Sequence, residues 1–187
     1  SDNLFAKQVA QNKFKRSSKM NKLFEKLKPI MNNSDDKVVI FSHFLGFIEL
    51  LKFEFSNEGI GVLVFDGSLT KNRRAEIISQ FTNSAENRIL IVSIKTGGVG
   101  LNLTVANHVF LMEPWWNPAF EHQAIDRVYR IGQKKEVQIV RFICTDTVET
   151  RIHFIQEEKM ELASNTLTAG SIEKREDNIA NIRKVFQ

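Results

Sequence analysis

The chain has 187 residues, 42% hydrophobic and 26% charged, the composition of a soluble globular protein with one good core and short appendages. A net charge of +4 permits nucleic-acid binding without demanding it. One cysteine, Cys144, excludes an intrachain disulfide, no histidine pairs with it at metal-ligand spacing, and no apolar run approaches the ~20 residues of a membrane span. With no signal-peptide pattern at the start, a reducing compartment is expected.

Residues 1–28 hold eight Lys/Arg against two acids, a leading segment suited to phosphates or simply to a solvated helix face. A helix is expected over 17–28. KVVIF (37–41) reads as the first strand, and Phe44, Phe47, Ile48, Leu51 and Phe55 follow at helical spacing up to Gly59. GVLVF (61–65) is the second strand, followed by a helical stripe of Ala75, Ile78 and Phe81. RILIVSI (88–94), HVFLM (108–112) and VQIVRFI (137–143) complete the apolar runs, with Cys144 read as a buried small hydrophobe. A helix over 147–163 carries Val148, Ile152, Ile155 and Met160 on one side. NTLTAGS (165–171) is a polar link to a last stripe of Ile172, Ile179, Ile182 and Phe186. Unbroken apolar runs alternating with helices predict a doubly wound parallel α/β layer, with ligands at the carboxyl ends of the strands. The expected organisation is a basic lead-in at 1–16, a lobe at 17–163, and a linker and helix at 164–187.

Chemistry concentrates where strands end. In SIKTGGVGLNL (93–103), Gly97, Gly98 and Gly100 allow positive φ and an anion-binding nest of amides, with Ser93, Lys95 and Thr96 adding donors. A short helical turn starting at Leu101 would add its amide end. Ser42 and His43 close the first strand, and Asp66-Gly67-Ser68 closes the second, with Arg73 and Arg74 just beyond. Such hydroxyls, amides and guanidiniums along one sheet edge suit a nucleic-acid backbone. In WWNPAFEHQAIDRVYRIGQ (115–133), helical geometry would place Gln123, Arg127 and Arg130 within about 60° of one another. Ala124, Ile125, Val128 and Ile131 would then form a core stripe opposite them. That spacing alone also fits a solvated basic face. The chain contains neither a G-x-x-x-x-G-K-[ST] loop nor an Asp-Glu pair, the two parts that hold the β-phosphate and magnesium in many ATPases.

Taken in order, KVVIFSHF, FDGSLTKNRR, ILIVSIKTGGVGLNLTVANHVFLMEPWWNP and EHQAIDRVYRIGQ resemble the successive motifs of the second RecA-like lobe of Swi/Snf-type ATPases. These are double-strand DNA translocases of the helicase superfamily that includes chromatin remodellers. The resemblance covers about residues 19–160, and the tail DTVETRIHFIQEEKMELAS is similar to the repair-associated subgroup that includes helicase-like transcription factor. His43 stands where the family usually has Gln, and Trp115 where it varies.

The resemblance implies a RecA-like parallel sheet flanked by helices on both faces, with helical extensions at both ends. Arg127 and Arg130 would be arginine fingers reaching the γ-phosphate of ATP on the first lobe, with Gln123 and Asp126 orienting them or the nucleotide. Gly98 and Gly100 fall with Asp126 among nucleotide-binding positions. Ser42, Gly67, Ser68, Arg73, Ser93, Lys95, Thr96, Gly97, Trp116 and Asn117 fall among DNA-binding positions. ATP and Mg would be bound mainly by the first lobe of the same polypeptide, none by this chain alone, which is expected to be ATPase-silent. Double-stranded DNA is the implied partner, nucleosomes a further candidate, with no metal site, no membrane and a nuclear location. The alternative is a non-catalytic DNA-binding or scaffolding module of the same fold. A phosphate-binding loop and an Asp-Glu box upstream of Ser1 would decide between them.

Overall fold

Apolar runs without polar interruption bury both faces of a strand, and the three central strands do so here. The structure, a computed structural model, describes residues 15–96 and 100–166, with side chains of the last helix described to Met160. The chain divides into two compact units, 1–34 and 35–187. The first holds helix α1, Ser18–Asn33, which runs through Pro29 and past the predicted 28. The Ser17 hydroxyl accepts from the Met20 amide and so caps its start, and the Arg16 guanidinium lies 4.4 Å from the Phe24 ring centre.

The second unit is built on five strands, β1 (Val38–Ser42), β2 (Leu63–Phe65), β3 (Ile89–Ser93), β4 (His108–Leu111) and β5 (Gln138–Arg141). Their order is β2-β3-β1-β4-β5, and every pair is parallel. Every residue of β1, β3 and β4 is buried, while β5 at one edge is largely exposed. Helix α2 (Leu45–Asn57) follows β1, α3 (Lys71–Asn83) follows β2, α4 (Pro118–Ile125) precedes β5, and α5 (Val148–Thr166) ends the described chain.

Side chains alternate across a strand, so the sheet sorts its residues into two cores. Val39, Phe41, Leu90, Val92, Val109 and Leu111 share one core with Ile77 and Phe81 of α3 and Ala124 and Ile125 of α4. Val38, Ile40, Ile89, Ile91 and Phe110 face the other way. There α2 packs on β1 and β3 and buries Ile48, Leu51 and Phe55, and Phe142 meets Phe110 edge-on at 5.5 Å.

Packing moved the phase of several predicted stripes. Phe44 is the residue before α2 and is exposed, because the helix starts only at Leu45. In α3 the buried pair is Ile77 and Phe81, four apart, while Ala75 faces solvent. In α5 the buried residues are Ile155 and Gln156, with Val148 and Met160 exposed, and the helix continues through Asn165 and Thr166 of the expected link. Cys144 is half-buried, since it follows the edge strand rather than a central one. The stripe Ile172–Phe186 lies outside the described residues. Among the described residues, no helix is long and apolar enough to cross a membrane.

Candidate nucleotide and nucleic-acid interface

Because all strands run parallel, the residues after Ser42, Phe65, Ser93 and Leu111 emerge at one edge. Asp66 begins the second of these loops, its Oδ1 accepting from the Ser68 amide at 2.8 Å and hydroxyl at 2.6 Å. This Asx turn sets Gly67 so close to Thr96 that a Cβ on the glycine would lie 3.5 Å from Thr96 Oγ1. Arg74 reaches back to donate to the Gly67 carbonyl at 3.3 Å, its guanidinium 5.7 Å from the Phe65 ring centre. Arg73, in the first turn of α3, pairs with Glu76 at 2.6 Å. Lys95 is exposed and Ser93 and Thr96 are buried, so the β3 loop presents its charge and turns its hydroxyl residues inward. Gly97 and Gly98 lie outside the described residues. Gly100 has φ 41° and lines, with Leu101, Asn102, Arg74 and Lys71, a groove of about 940 Å³ beside α3. No helix starts at Leu101; a turn at Thr104 leads into β4 instead, so the expected helical amide end is absent.

Ser42 is fully buried and its hydroxyl donates to Glu113 Oε1 at 3.1 Å, while the His43 amide donates to Oε2 of the same carboxylate. Glu113 therefore ties the end of β1 to the segment leaving β4. The His43 ring stacks on Trp115, centroids 4.1 Å apart and planes 14° from parallel. Burial is the main cause that lowers the His43 imidazole to about 4; Glu121 opposes it and Lys95 adds to it.

The Trp-Trp-Asn-Pro stretch has a local logic. Asn117 Oδ1 accepts from the Ala119 amide at 3.1 Å and Pro118 opens the helix, so Asn-Pro is the start signal of α4. Trp115 is anchored three ways: by the His43 stack, by its amide donating to Glu121 Oε1 at 3.2 Å, and by its carbonyl accepting from Gln156 Nε2 at 2.5 Å. Glu121 is buried and also accepts from Arg141 Nε at 2.9 Å and Gln156 Nε2 at 2.5 Å. Trp116, by contrast, is 42% exposed, with Lys159 of α5 sitting 5.2 Å from its ring centre. Glu113, Glu121, Gln156 and Lys159 were not singled out from sequence. Glu121 lies inside the quoted motif, but nothing local connects it to Gln156, 35 positions away.

The predicted helix over the arginines stops short. Helix α4 ends at Ile125 with Asp126 as its C-cap, and turns follow through Gly132, whose φ is 104°. The helical phase is therefore lost. Ala124, Ile125 and Val128 are buried as expected, but Ile131 is fully exposed. The segment is nonetheless pinned. Arg127's carbonyl accepts from the Leu103 amide at 2.9 Å, Gln133 Nε2 donates to the Ala106 carbonyl at 2.7 Å, and Lys135 Nζ pairs with Asp36. Chiefly that lysine holds the Asp36 carboxyl far below its usual range. Asp126, Arg127 and Arg130 line one surface hollow of about 690 Å³ with Tyr129; Gln123 is exposed and does not. Arg127 Nε is buried without a hydrogen-bond partner, while Arg130 faces solvent. A hollow lined by Arg127, Arg130 and Lys135 against the single acid Asp126 suits a polyphosphate anion. Among the described residues, no group of three or more His, Cys, Asp or Glu side chains is placed to hold a metal ion.

A parallel sheet with polar loops at its carboxyl edge and arginines beyond the last crossover helix has the layout of a RecA-like ATPase lobe. The family model described as "Helicase conserved C-terminal domain" matches residues 18–132, and the chain belongs to that family. Its relatives place it with Swi2/Snf2-type repair ATPases. It is 40% identical over its whole length to "DNA repair protein RAD5B" of Arabidopsis thaliana, and 43% identical over 91% of its length to "DNA repair protein RAD5" of Cryptococcus neoformans. It spans only 14% of the length of either relative. Among solved structures it is similar to the C-terminal part of the Fun30 ATPase domain, with a TM-score of 0.74 and 34% identity, covering 81% of this chain and 51% of that one. It is also similar to the Sulfolobus solfataricus SWI2/SNF2 ATPase core in complex with double-stranded DNA, with a TM-score of 0.65 and 30% identity, covering 87% of this chain and 35% of that one.

Proposed function

We propose that this lobe, residues 17–163, is the second half of an ATP-dependent motor that moves along double-stranded DNA in the nucleus, acting in DNA repair. The observation that carries this reading is the hollow lined together by Asp126, Arg127 and Arg130. Arg127 and Arg130 set guanidinium charge against the terminal phosphate of a nucleotide held, with its magnesium, on the first lobe of the same polypeptide. That charge neutralises what develops on the phosphate oxygens during transfer, and Asp126, in the same hollow, orients the arginines, while Gln123 stands outside it. The nucleotide supplies the phosphoryl chemistry; this chain supplies the electrostatics. With Gly98, Gly100 marks the nucleotide-side loop.

DNA lies along the carboxyl edge in this reading. Ser68, Arg73, Lys95 and Trp116 present exposed groups to one strand's backbone, with Gly67 and the buried Thr96 shaping the loops behind them. Ser42 and Ser93 sit at the strand ends, and Asn117 caps the helix that follows Trp116. The grip is on phosphates and is independent of base sequence.

The test is DNA-stimulated ATP hydrolysis by the full-length protein carrying Arg130→Ala. Loss of a finger is expected to lower kcat on the order of 10³-fold or more with DNA binding retained. A kcat within a factor of two of the unaltered protein would remove Arg130 from the mechanism. Expressed alone, this chain is expected to show no turnover.

A further inference from the structure

Helix α5 lies beyond residue 132, where the family match ends, yet two of its side chains reach the tryptophan loop. We propose that α5 is part of the DNA-contacting surface: Gln156 is a positioning residue that locks the loop, and Lys159 is a phosphate contact held beside Trp116. This rests on the reading above that the loop faces DNA.

The geometry is specific. Gln156 and Lys159 are three positions apart, so they rise from one side of the helix about one turn apart. Gln156 is buried, 2% exposed, and its Nε2 donates to the loop and to the loop's anchor, the Trp115 carbonyl and Glu121 Oε1. Glu121 in turn holds the Trp115 amide and is neutralised by Arg141 of β5. The loop backbone is thus clamped at two successive polar groups of one residue by a helix and by the carboxylate that the same glutamine touches. Lys159 then lies over the face of Trp116, the loop's exposed aromatic ring.

A lysine over an indole face is attracted to it and still offers three N–H donors outward, so the pair joins a flat apolar contact for a sugar or base edge to a point charge for a phosphate. The two acids just before Lys159 stand elsewhere. Glu157 projects about 160° from Lys159 around the helix, and Glu158 about 100° from it. Glu157 is matched by His153 at 3.5 Å. The chemistry recognised is the phosphodiester backbone of a duplex.

The experiment measures duplex DNA affinity of the full-length protein as a function of salt. Lys159→Ala is expected to make the slope of log K against log[salt] shallower by about 0.9, the signature of one lost phosphate contact, and Lys159→Arg to restore it. Loss of packing alone would not change the number of counterions released. Gln156→Ala, which leaves Glu121 paired with Arg141, is expected to raise the DNA concentration for half-maximal ATPase stimulation several-fold and to shift tryptophan emission to the red. An unchanged salt slope in Lys159→Ala overturns the α5 contact. Trp116→Ala separates the two levels. If it weakens DNA binding while Lys159→Ala does not, only the α5 contact fails; if neither does, the placement of DNA on this loop fails as well.

Discussion

His43 makes the lobe acid-sensitive in a way that can be worked from its surroundings. The ring is 5% exposed, stacked on Trp115, and neither ring nitrogen has a hydrogen-bond partner among the described residues. Burial therefore favours the neutral imidazole and lowers it from 6.5 to about 4. In the unfolded chain the same side chain takes up a proton as pH falls through about 6.5. Between those two values the unfolded state binds more protons, so stability falls as pH falls, and the loss is complete below about 4. Linkage puts the cost of going from about pH 7.5 to about pH 5 near 2 kcal/mol. Against a typical domain stability of about 5–15 kcal/mol, that is a large share for one side chain. The assay is urea unfolding followed by far-ultraviolet circular dichroism, because the neighbouring indole makes fluorescence respond to the imidazole directly. His43→Gln removes the titration while keeping a polar side chain. The loss between the two pH values is expected to shrink in the variant by about 2 kcal/mol. Equal losses in both proteins would refute the argument, since some other group would then carry the acid sensitivity.

Two other contacts make comparable demands on stability. Glu121→Ala removes one of the three anchors of Trp115, takes the carboxylate from Arg141 and leaves Gln156 only the Trp115 carbonyl, and a loss of about 2–4 kcal/mol is expected in the same denaturant assay, kept below the fully buried limit by Arg141's access to water. Lys37 is buried, and its ammonium donates to the carbonyls of Phe81, Thr82 and Ser84 at the end of α3. Lys37→Met keeps the stem but abandons those carbonyls, and should cost about 1–3 kcal/mol, read as a lower thermal midpoint.

The strands were legible because burial on both faces leaves a continuous apolar run, and β1, β3 and β4 have that property. Helix phase was less legible. In α3 the choice between Ile77 and Ala75 is made by the sheet beneath, which a 3.6-residue period cannot see. The arginine segment shows the limit most clearly. Periodicity carried the helix to Ile131, whereas Gly132 in positive φ and the Gln133 side chain bonded to Ala106 and Val128 replace helical geometry with a pinned turn. Asp126, Arg127 and Arg130 still line one hollow, held by tertiary bonds rather than helical register. The clamp of Glu121 and Gln156 had no local signal, since its members lie 35 positions apart and meet only in the folded chain.

The bond from the Leu103 amide to the Arg127 carbonyl joins the glycine-rich stretch after β3 to the arginine turn, across 24 positions of chain. A peptide hydrogen bond of 2.9 Å has little slack, and Leu103 is itself fully buried. A displacement of the β3–β4 crossover therefore breaks this bond unless the arginine backbone moves with it. If the lobe works in the motor proposed above, such a linkage would time nucleotide use by the grip on DNA without a moving lid or a separate relay.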